Sequence, residues 1–439
     1  MIKVCKFGGT SMADAKALEQ VKRIVLSDES RRFIVVSAPG KRNKQDKKIT
    51  DTLYSCYDEL MNTGKITENF SFIRERFTGI VKDLNLKIDI KAILDRTEEQ
   101  IIEQKSPDFT ASRGEYLSAM VMAEFLGFEF IDATEMIRFD SHGRLNADYT
   151  DDKVKLRLAD VKNAVIPGFY GKDYENNVKT FSRGGSDITG SIIARGVKAD
   201  LYENWTDVSG FLVCDPRIVP EAKTIKQITY KELRELSYMG ASVLHPEAIF
   251  PVMKGKILIN IKNTFKPEDP GTMIVPNDKY ELIDNDSIIT GIAGKKDFTV
   301  IFIEKSMMNA EVGFIRRVLS VLEHYDLCVE HLPSGIDTLS VIIASEQLKD
   351  GVLNDLVNEI RDSISPDYVH VIENISLIAT VGHGMNRRVG TCARLFNALA
   401  EANINIRMID QGSSELNIII GVANSDYEKC IGTIYKAFC

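Results

Sequence analysis

The sequence predicts an α/β fold, a mostly parallel sheet covered by helices, followed by two small α/β modules in tandem. Three observations carry this expectation. The first 38 residues alternate apolar strand, glycine turn, helix and apolar strand. Further short apolar segments recur between helical stretches up to about residue 205. Beyond residue 300 the chain resembles itself at a fixed offset.

Residues 2–7 read as a short buried strand that ends at Gly8-Gly9. From Ser11, apolar residues at Met12, Ala15, Leu18, Val21 and Ile24/Val25 keep a helical spacing, with Thr10 or Ser11 as the expected N-cap. Phe33 to Ala38 is a second buried strand closed by Pro39-Gly40. Strand, helix, strand is the βαβ unit of a parallel sheet. Residues 41–48, rich in lysine, read as a solvated basic loop. Helical stretches follow to about 125, and 128–133, 165–169 and 199–205 are expected as later strands. Pro267 to Gly271 is a loop signal, and the polar stretch 276–287 after it is the expected domain boundary. The expected division is therefore 1–280 and 281–439.

Within the second part, Gly313 to Leu322 aligns without gaps on Gly390 to Leu399, an offset of 77 residues. The same offset pairs Leu327 with Ile404, Gly335 with Gly412, Leu339 with Leu416, and the apolar run 341–343 with 418–420. Each copy reads strand, helix, strand, turn, strand, which predicts two modules, about 288–370 and 371–439.

A length of 439 residues implies two to three domains, and 44% hydrophobic with 27% charged residues is ordinary for a globular protein. The formal charge of −8 argues against a nucleic-acid binder. The seven cysteines (5, 56, 214, 328, 392, 430 and 439) form no C-x-x-C pair, and the six histidines show no ligand spacing, so no resident metal site is expected. Neither a signal peptide nor a membrane span is read, and a reducing, cytoplasmic setting is expected.

Chemistry is expected at two glycine turns that open helices. In Lys6-Phe7-Gly8-Gly9-Thr10-Ser11 the glycines let backbone N–H groups approach phosphate oxygens at a helix N-terminus. Lys6, at the strand end, would neutralise a phosphoryl group in transfer. The second turn is Phe181-Ser182-Arg183-Gly184-Gly185-Ser186-Asp187, before a helix from Ile188 to Arg195. Arg183 offers a planar fork for carboxylate or phosphate, and Asp187 makes sense as a group that orients a cation. Two such turns fit a site where two anionic ligands meet. Thr206 and Asp207 after one strand would hold base or ribose, and Arg217, in Asp215-Pro216-Arg217, phosphates. Thr-Asp and Asp-Pro-Arg are also ordinary turn formers.

The stretches KFGGTS (6–11), VVSA (35–38), SRGEYLSA (112–119), FSRGGSDITG (181–190), WTDVSG (205–210), ELSYMGASVLHP (235–246) and IKNTFKPEDPGTMI (261–274) resemble, in order, the monofunctional aspartokinases of the amino acid kinase family. NINIRMIDQGSSELNI (403–418) extends the resemblance into the second repeat. It implies a three-layer αβα kinase domain followed by two ACT domains, ferredoxin-like α+β modules that sense amino acids. It implies ATP-dependent phosphorylation of the L-aspartate β-carboxylate to 4-phospho-L-aspartate, the first step of lysine, threonine and methionine biosynthesis.

By the family pattern, Lys6 and Asp187 are catalytic, and Gly8, Gly9 and Ser11 hold ATP phosphates. Glu115 binds the substrate α-ammonium and Arg183 its α-carboxylate, with Ser37, Gly184 and Ser186 on the substrate side. Leu212 stands where tyrosine is common in the nucleotide pocket, and Ser242, beside Val243, where lysine is common near ATP. Mg²⁺ is expected to arrive on ATP. Met308, Gly313, Val329 and Glu330 resemble the lysine-binding face of lysine-sensitive members, which implies lysine feedback and a homodimer or tetramer through the ACT modules. The competing readings are a glutamate or acetylglutamate kinase, and a non-catalytic amino-acid sensor.

Overall fold

A computed structural model of the chain describes residues 1–182, 184–241, 249–279 and 288–439. The chain divides into two compact units that exchange segments. The first comprises Met1–Phe211, Thr224–Tyr230 and Val243–Glu281, the second Leu212–Lys223, Lys231–Ser242 and Leu282–Cys439.

The first unit is built on strands β1 (Lys3–Phe7), β2 (Arg31–Val36), β3 (Glu129–Phe130), β4 (Ala164–Pro167), the hairpin β5 (Tyr170–Lys172) and β6 (Val178–Thr180), β7 (Leu201–Thr206), β8 (Gln227–Thr229), β9 (Leu258–Asn263) and β10 (Thr272–Val275). Eight of them form one sheet in the order β3-β4-β2-β1-β7-β9-β10-β8, parallel throughout except between β9 and β10. Strands buried on both faces explain their continuous apolar runs, such as Phe33-Ile34-Val35-Val36. The helices of this unit are α1 (Ala15–Leu26), α2 (Ile49–Thr63), α3 (Glu68–Asp83), α4 (Ile90–Gln104), α5 (Pro107–Leu126), α6 (Ala147–Leu158), α7 (Gly185–Gly196) and α9 (Ile249–Lys254), whereas α8 (Tyr230–Tyr238) belongs, after its first residue, to the second unit.

Helix α1 buries Leu18, Val21, Ile24 and Val25 and turns Lys16, Glu19 and Arg23 outward. Each such apolar burial contributes about 1.5–3 kcal/mol, so packing holds the helix and its cap sets where it begins. That cap is Asp14, whose side chain accepts from the Ala17 N–H, and not Thr10 or Ser11. Residues Gly9–Met12 first close a separate 3-10 turn, which frees the Ser11 hydroxyl for other work. Helix α7 begins at Gly185, earlier than the expected Ile188. Around 128–133 only Glu129–Phe130 is strand, because Asp132 turns the chain by accepting from the Thr134 N–H.

The second unit contains β11 (Gly291–Glu304), β12 (Thr338–Ala344), β13 (Tyr368–Val381), β14 (Met408–Asp410) and β15 (Asn417–Ala423), in the antiparallel order β12-β11-β13-β15-β14. Helices α10 (Phe314–His324), α11 (Val352–Ile364), α12 (Thr391–Glu401) and α13 (Tyr427–Phe438) accompany it. Helices α10 and α12 repeat at the expected offset, each entered through a left-handed glycine, Gly313 at φ 82° and Gly390 at φ 89°. The last strand of each copy departs from it. Phe298 pairs with Ala344 and its counterpart Ile375 with Ala423, so the second copy carries two extra residues before its final strand. Run 341–343 therefore corresponds to 420–422 rather than 418–420. Side chains alternate with a period of two along a strand, so a slip of two preserves the inward face and stays hidden in an apolar pattern. Among the described residues no helix is long and apolar enough to cross a membrane.

Candidate active site

The C-terminal ends of β1, β2, β4 and β7 meet in the first unit. In the parallel register Lys6 of β1 lies opposite Asn204 of β7. Both side chains reach Asp187, in the first turn of α7. Lys6 Nζ is 2.6 Å from Asp187 Oδ1, and Asn204 Nδ2 donates to the same oxygen at 2.8 Å. The Tyr202 hydroxyl donates to the Asp187 carbonyl oxygen at 3.1 Å. Lys6 is 7% exposed, and removing one partner of a buried ion pair costs several kcal/mol. Asp187 thus fixes the position of the Lys6 ammonium at this depth.

The glycine turn follows directly. The Gly8 N–H donates to the Trp205 carbonyl oxygen at 3.0 Å and the Ser11 N–H to that of Gly8 at 3.0 Å. Gly8 has φ −73°, which any residue adopts, so its value lies in close approach: a Cβ there would sit 3.5 Å from Lys6 Nζ. A Cβ on Gly9 would meet the Ala38 carbonyl oxygen at 3.3 Å and Gly40 Cα at 3.4 Å. The Ser11 hydroxyl is buried and pairs with Thr264 Oγ1 at 2.7 Å, just past β9. Thr10 Oγ1 donates to Asp207 Oδ2 at 3.3 Å, which joins this turn to the loop after β7. Thr206 Oγ1 reaches the other Asp207 oxygen at 3.3 Å.

Glu115 lies near enough for the Lys6 charge to act on its carboxyl. Its helix, α5, seats tightly against the exit of β2, since a Cβ on Gly114 would lie 2.7 Å from that of Ala38. Glu115 is 5% exposed, and its Oε2 has no hydrogen-bond partner. Burial pushes its carboxyl from the usual range up to about 8, against the opposing pull of the Ala38 N–H, Arg113 and Lys6. A buried carboxyl with one oxygen unanswered can receive a cation that arrives with a ligand. Ser37, half-buried, ties the ends of β1 and β2 through its N–H to the Phe7 carbonyl oxygen at 3.1 Å. Gly184 takes a left-handed conformation at φ 59° and caps α7. Ser186 is buried behind it, so close to the loop after β4 that a Cβ on Gly168 would lie 2.7 Å from its own Cβ.

The structure therefore brings together Lys6, Gly8, Gly9, Ser11, Ser37, Glu115, Gly184, Ser186, Asp187, Thr206 and Asp207. Arg183, Ser242 and Val243 lie outside the described residues. Leu212 and Arg217 fold with the second unit, where Leu212 is half-buried and Arg217 forks onto Asp215 at 2.6 Å. In that unit Met308 is buried in the core that Val329 packs against, and Gly313 caps α10. Glu330 pairs its backbone N–H with the Ile342 carbonyl oxygen and accepts from the Tyr238 hydroxyl at 2.5 Å. Two site-building residues escape sequence reasoning, Asn204 and Thr264. A polar pair, Glu203-Asn204, inside the apolar strand β7 is the signal that marks the first; nothing local marks the second.

This arrangement is that of a small-molecule kinase, and the sequence pattern of the Amino acid kinase family matches residues 1–263. The chain belongs to that family. An ACT domain pattern matches residues 378–438. Over its whole length the chain is similar to Aspartokinase 3 of Bacillus subtilis, 36% identical over 454 residues that span 100% of this chain and 98% of the relative. The aspartate kinase of Clostridium acetobutylicum has the same architecture at a TM-score of 0.90 and 51% identity, with 100% of both chains covered. Aspartokinase III of E. coli, solved with aspartate and ADP in its R-state, superposes at 0.75 with 25% identity over 100% of this chain and 99% of that one.

Proposed function

We propose that the chain is an aspartokinase, transferring the γ-phosphoryl group of ATP to the β-carboxylate of L-aspartate. The observation that carries this reading is the buried Lys6, paired with Asp187 and near enough to Glu115, whose Oε2 is unanswered, for its charge to act on that carboxyl. Aspartate's β-carboxylate is ionised near neutral pH, so the nucleophile needs no strong base. The difficulty is bringing two anions together, which positioning and cations solve.

In this reading Gly8, Gly9 and Ser11 hold the ATP phosphates and Lys6 stabilises the group in flight. Asp187, anchored by Asn204, keeps Lys6 aimed. Glu115 takes the α-ammonium and Arg183 the α-carboxylate, with Ser37, Gly184 and Ser186 closing the substrate side. Thr206, Asp207, Leu212, Arg217, Ser242 and Val243 serve the nucleotide, and Mg²⁺ enters on ATP. Residues 1–280 would form the catalytic domain and 281–439 the regulatory region with two ACT modules.

Feedback is assigned to lysine, through Met308, Gly313, Val329 and Glu330. The E. coli enzyme solved with lysine and aspartate in its T-state, at 25% identity, supports the choice. A cytoplasmic homodimer or tetramer completes the reading. An ATP-dependent assay that traps the acyl phosphate as hydroxamate, with aspartate and glutamate side by side, tests it. Product from aspartate alone is expected; product from glutamate alone, or from neither, refutes it.

A further inference from the structure

The basic segment 41–48 is exposed at all four of its lysines, as a solvated loop would be. Its one acid is another matter. The Asp46 side chain is 4% exposed and lies 2.6 Å from Nη2 of Arg76, on α3, whose own side chain is 2% exposed. The backbone N–H and Nε of Arg42 both donate to the same Asp46 oxygen at 2.9 Å. Arg76 Nε is buried without a hydrogen-bond partner. A buried guanidinium is a poor way to stabilise a fold, because apolar packing of similar volume often does as well or better. Its use is geometric, since a planar fork fixes several acceptors at once.

The acceptors show what is being fixed. Nη1 of Arg76 donates to the carbonyl oxygens of Ala13 at 3.2 Å and Gly40 at 3.0 Å. Ala13 ends the Gly9–Met12 turn. Gly40 presses on the start of that turn: its N–H donates to the Gly9 carbonyl oxygen at 2.8 Å. A Cβ on Gly40 would lie 2.7 Å from the Gly9 carbonyl carbon and 2.9 Å from the Thr10 nitrogen. One buried side chain thus grips both flanks of the phosphate turn and, through Asp46, the basic segment beside it.

We propose that Arg76 and Asp46 are positioning residues for ATP, a clamp that holds the Gly8–Ser11 turn in its phosphate-binding geometry before the nucleotide arrives. The clamp rests on the reading of that turn as the ATP loop. A loop ordered during folding need not be ordered again on binding, so its loss falls on nucleotide affinity first.

The test is steady-state kinetics on Arg76→Met, Arg76→Lys and Asp46→Asn in the full chain, each assayed well below its own melting temperature. Gly8→Ala serves as the reference, because its φ suits alanine and the new methyl would stand at ordinary contact distance beside Lys6 Nζ, where the proposed reading brings the phosphates. Arg76→Met should raise KM for ATP about tenfold or more and leave KM for aspartate within about twofold. Arg76→Lys should recover little, since it restores the charge without the fork. Asp46→Asn should shift KM for ATP in the same direction by less, and it carries the test alone if the Arg76 variants do not fold. If Gly8→Ala raises KM for ATP while the clamp variants leave it unchanged, or raise both KM values equally, the clamp is refuted. If Gly8→Ala leaves KM for ATP unchanged, the ATP-loop reading fails and takes the clamp with it.

Discussion

Glu115 is the residue whose chemistry is most exposed to test. Burial raises its carboxyl from 4.5 to about 8, while the unfolded chain ionises near the ordinary value. Between these two values the folded state keeps a proton that the unfolded state has lost. Stability contributed by that proton is complete below pH 4.5 and falls as pH rises towards 8, by about 1.4 kcal/mol per unit at most. Glu115→Gln should remove this slope, so thermal melting should show the variant gaining on the parent from about pH 5 to 8. A bound ammonium favours the ionised form, so aspartate affinity in the parent should increase over the same window with release of a proton, read by calorimetry in two buffers. Lys6 makes a different prediction. Lys6→Ala should lower kcat about 100-fold or more with KM for aspartate within about threefold; equal losses in both would remove its assignment to the transferring group. Lys6, Gly8 and Gly9 were legible in sequence because strand, glycine turn and helix are adjacent there. Glu115 was legible only through its family pattern. Helix α5 buries residues on nearly every side, Ser112, Arg113, Glu115 and Ser118 included, so no polar face separates a site residue from a surface one.

At the scale of elements, the beginnings of helices matter most. Asp14 caps α1 one residue after the stretch gripped by Arg76, so the cap and the phosphate turn are distinct devices. Asp14→Ala should cost about 1 kcal/mol in urea unfolding with KM for ATP little changed, whereas Ser11→Ala, which loses the Thr264 contact, should act on KM. The expectation that Thr10 or Ser11 caps α1 fails because a 3-10 turn intervenes, and local propensity does not distinguish a turn that continues from one that stops. Gly313 and Gly390 enter α10 and α12 in the left-handed region, where a Cβ is strained. Alanine at either should destabilise the full chain by about 1–2 kcal/mol, seen as a lower melting temperature. The two copies agree in their caps and helices, yet differ by two residues before the last strand. An ungapped comparison overlooks that slip because strand periodicity absorbs it.

At the scale of the whole molecule, the proposed lysine response is a matter of linkage. If lysine and aspartate favour opposing states, lysine must weaken aspartate binding by the factor with which aspartate weakens lysine binding. Calorimetric titration in both orders, with light scattering to count subunits, should return equal factors on a dimer or tetramer. Inhibition by threonine with no effect of millimolar lysine would remove the assignment to Met308, Gly313, Val329 and Glu330. Glu330 is already engaged with the Tyr238 hydroxyl, so a ligand ammonium there must compete with it. Tyr238→Phe should therefore lower the lysine concentration needed for half-inhibition.

The sequence alone determined the parallel sheet, the two glycine turns and the presence of a repeat, because each is written in spacings of a few residues. What only the tertiary structure decided is which distant groups share a partner. Asn204 joins Lys6 on one Asp187 oxygen through strand register, Thr264 pairs with the Ser11 hydroxyl, and Arg76 reaches three acceptors in two loops from one buried position. These depend on sheet order and on the depth of burial, and both arise from contacts between segments far apart in the chain. No local periodicity encodes them.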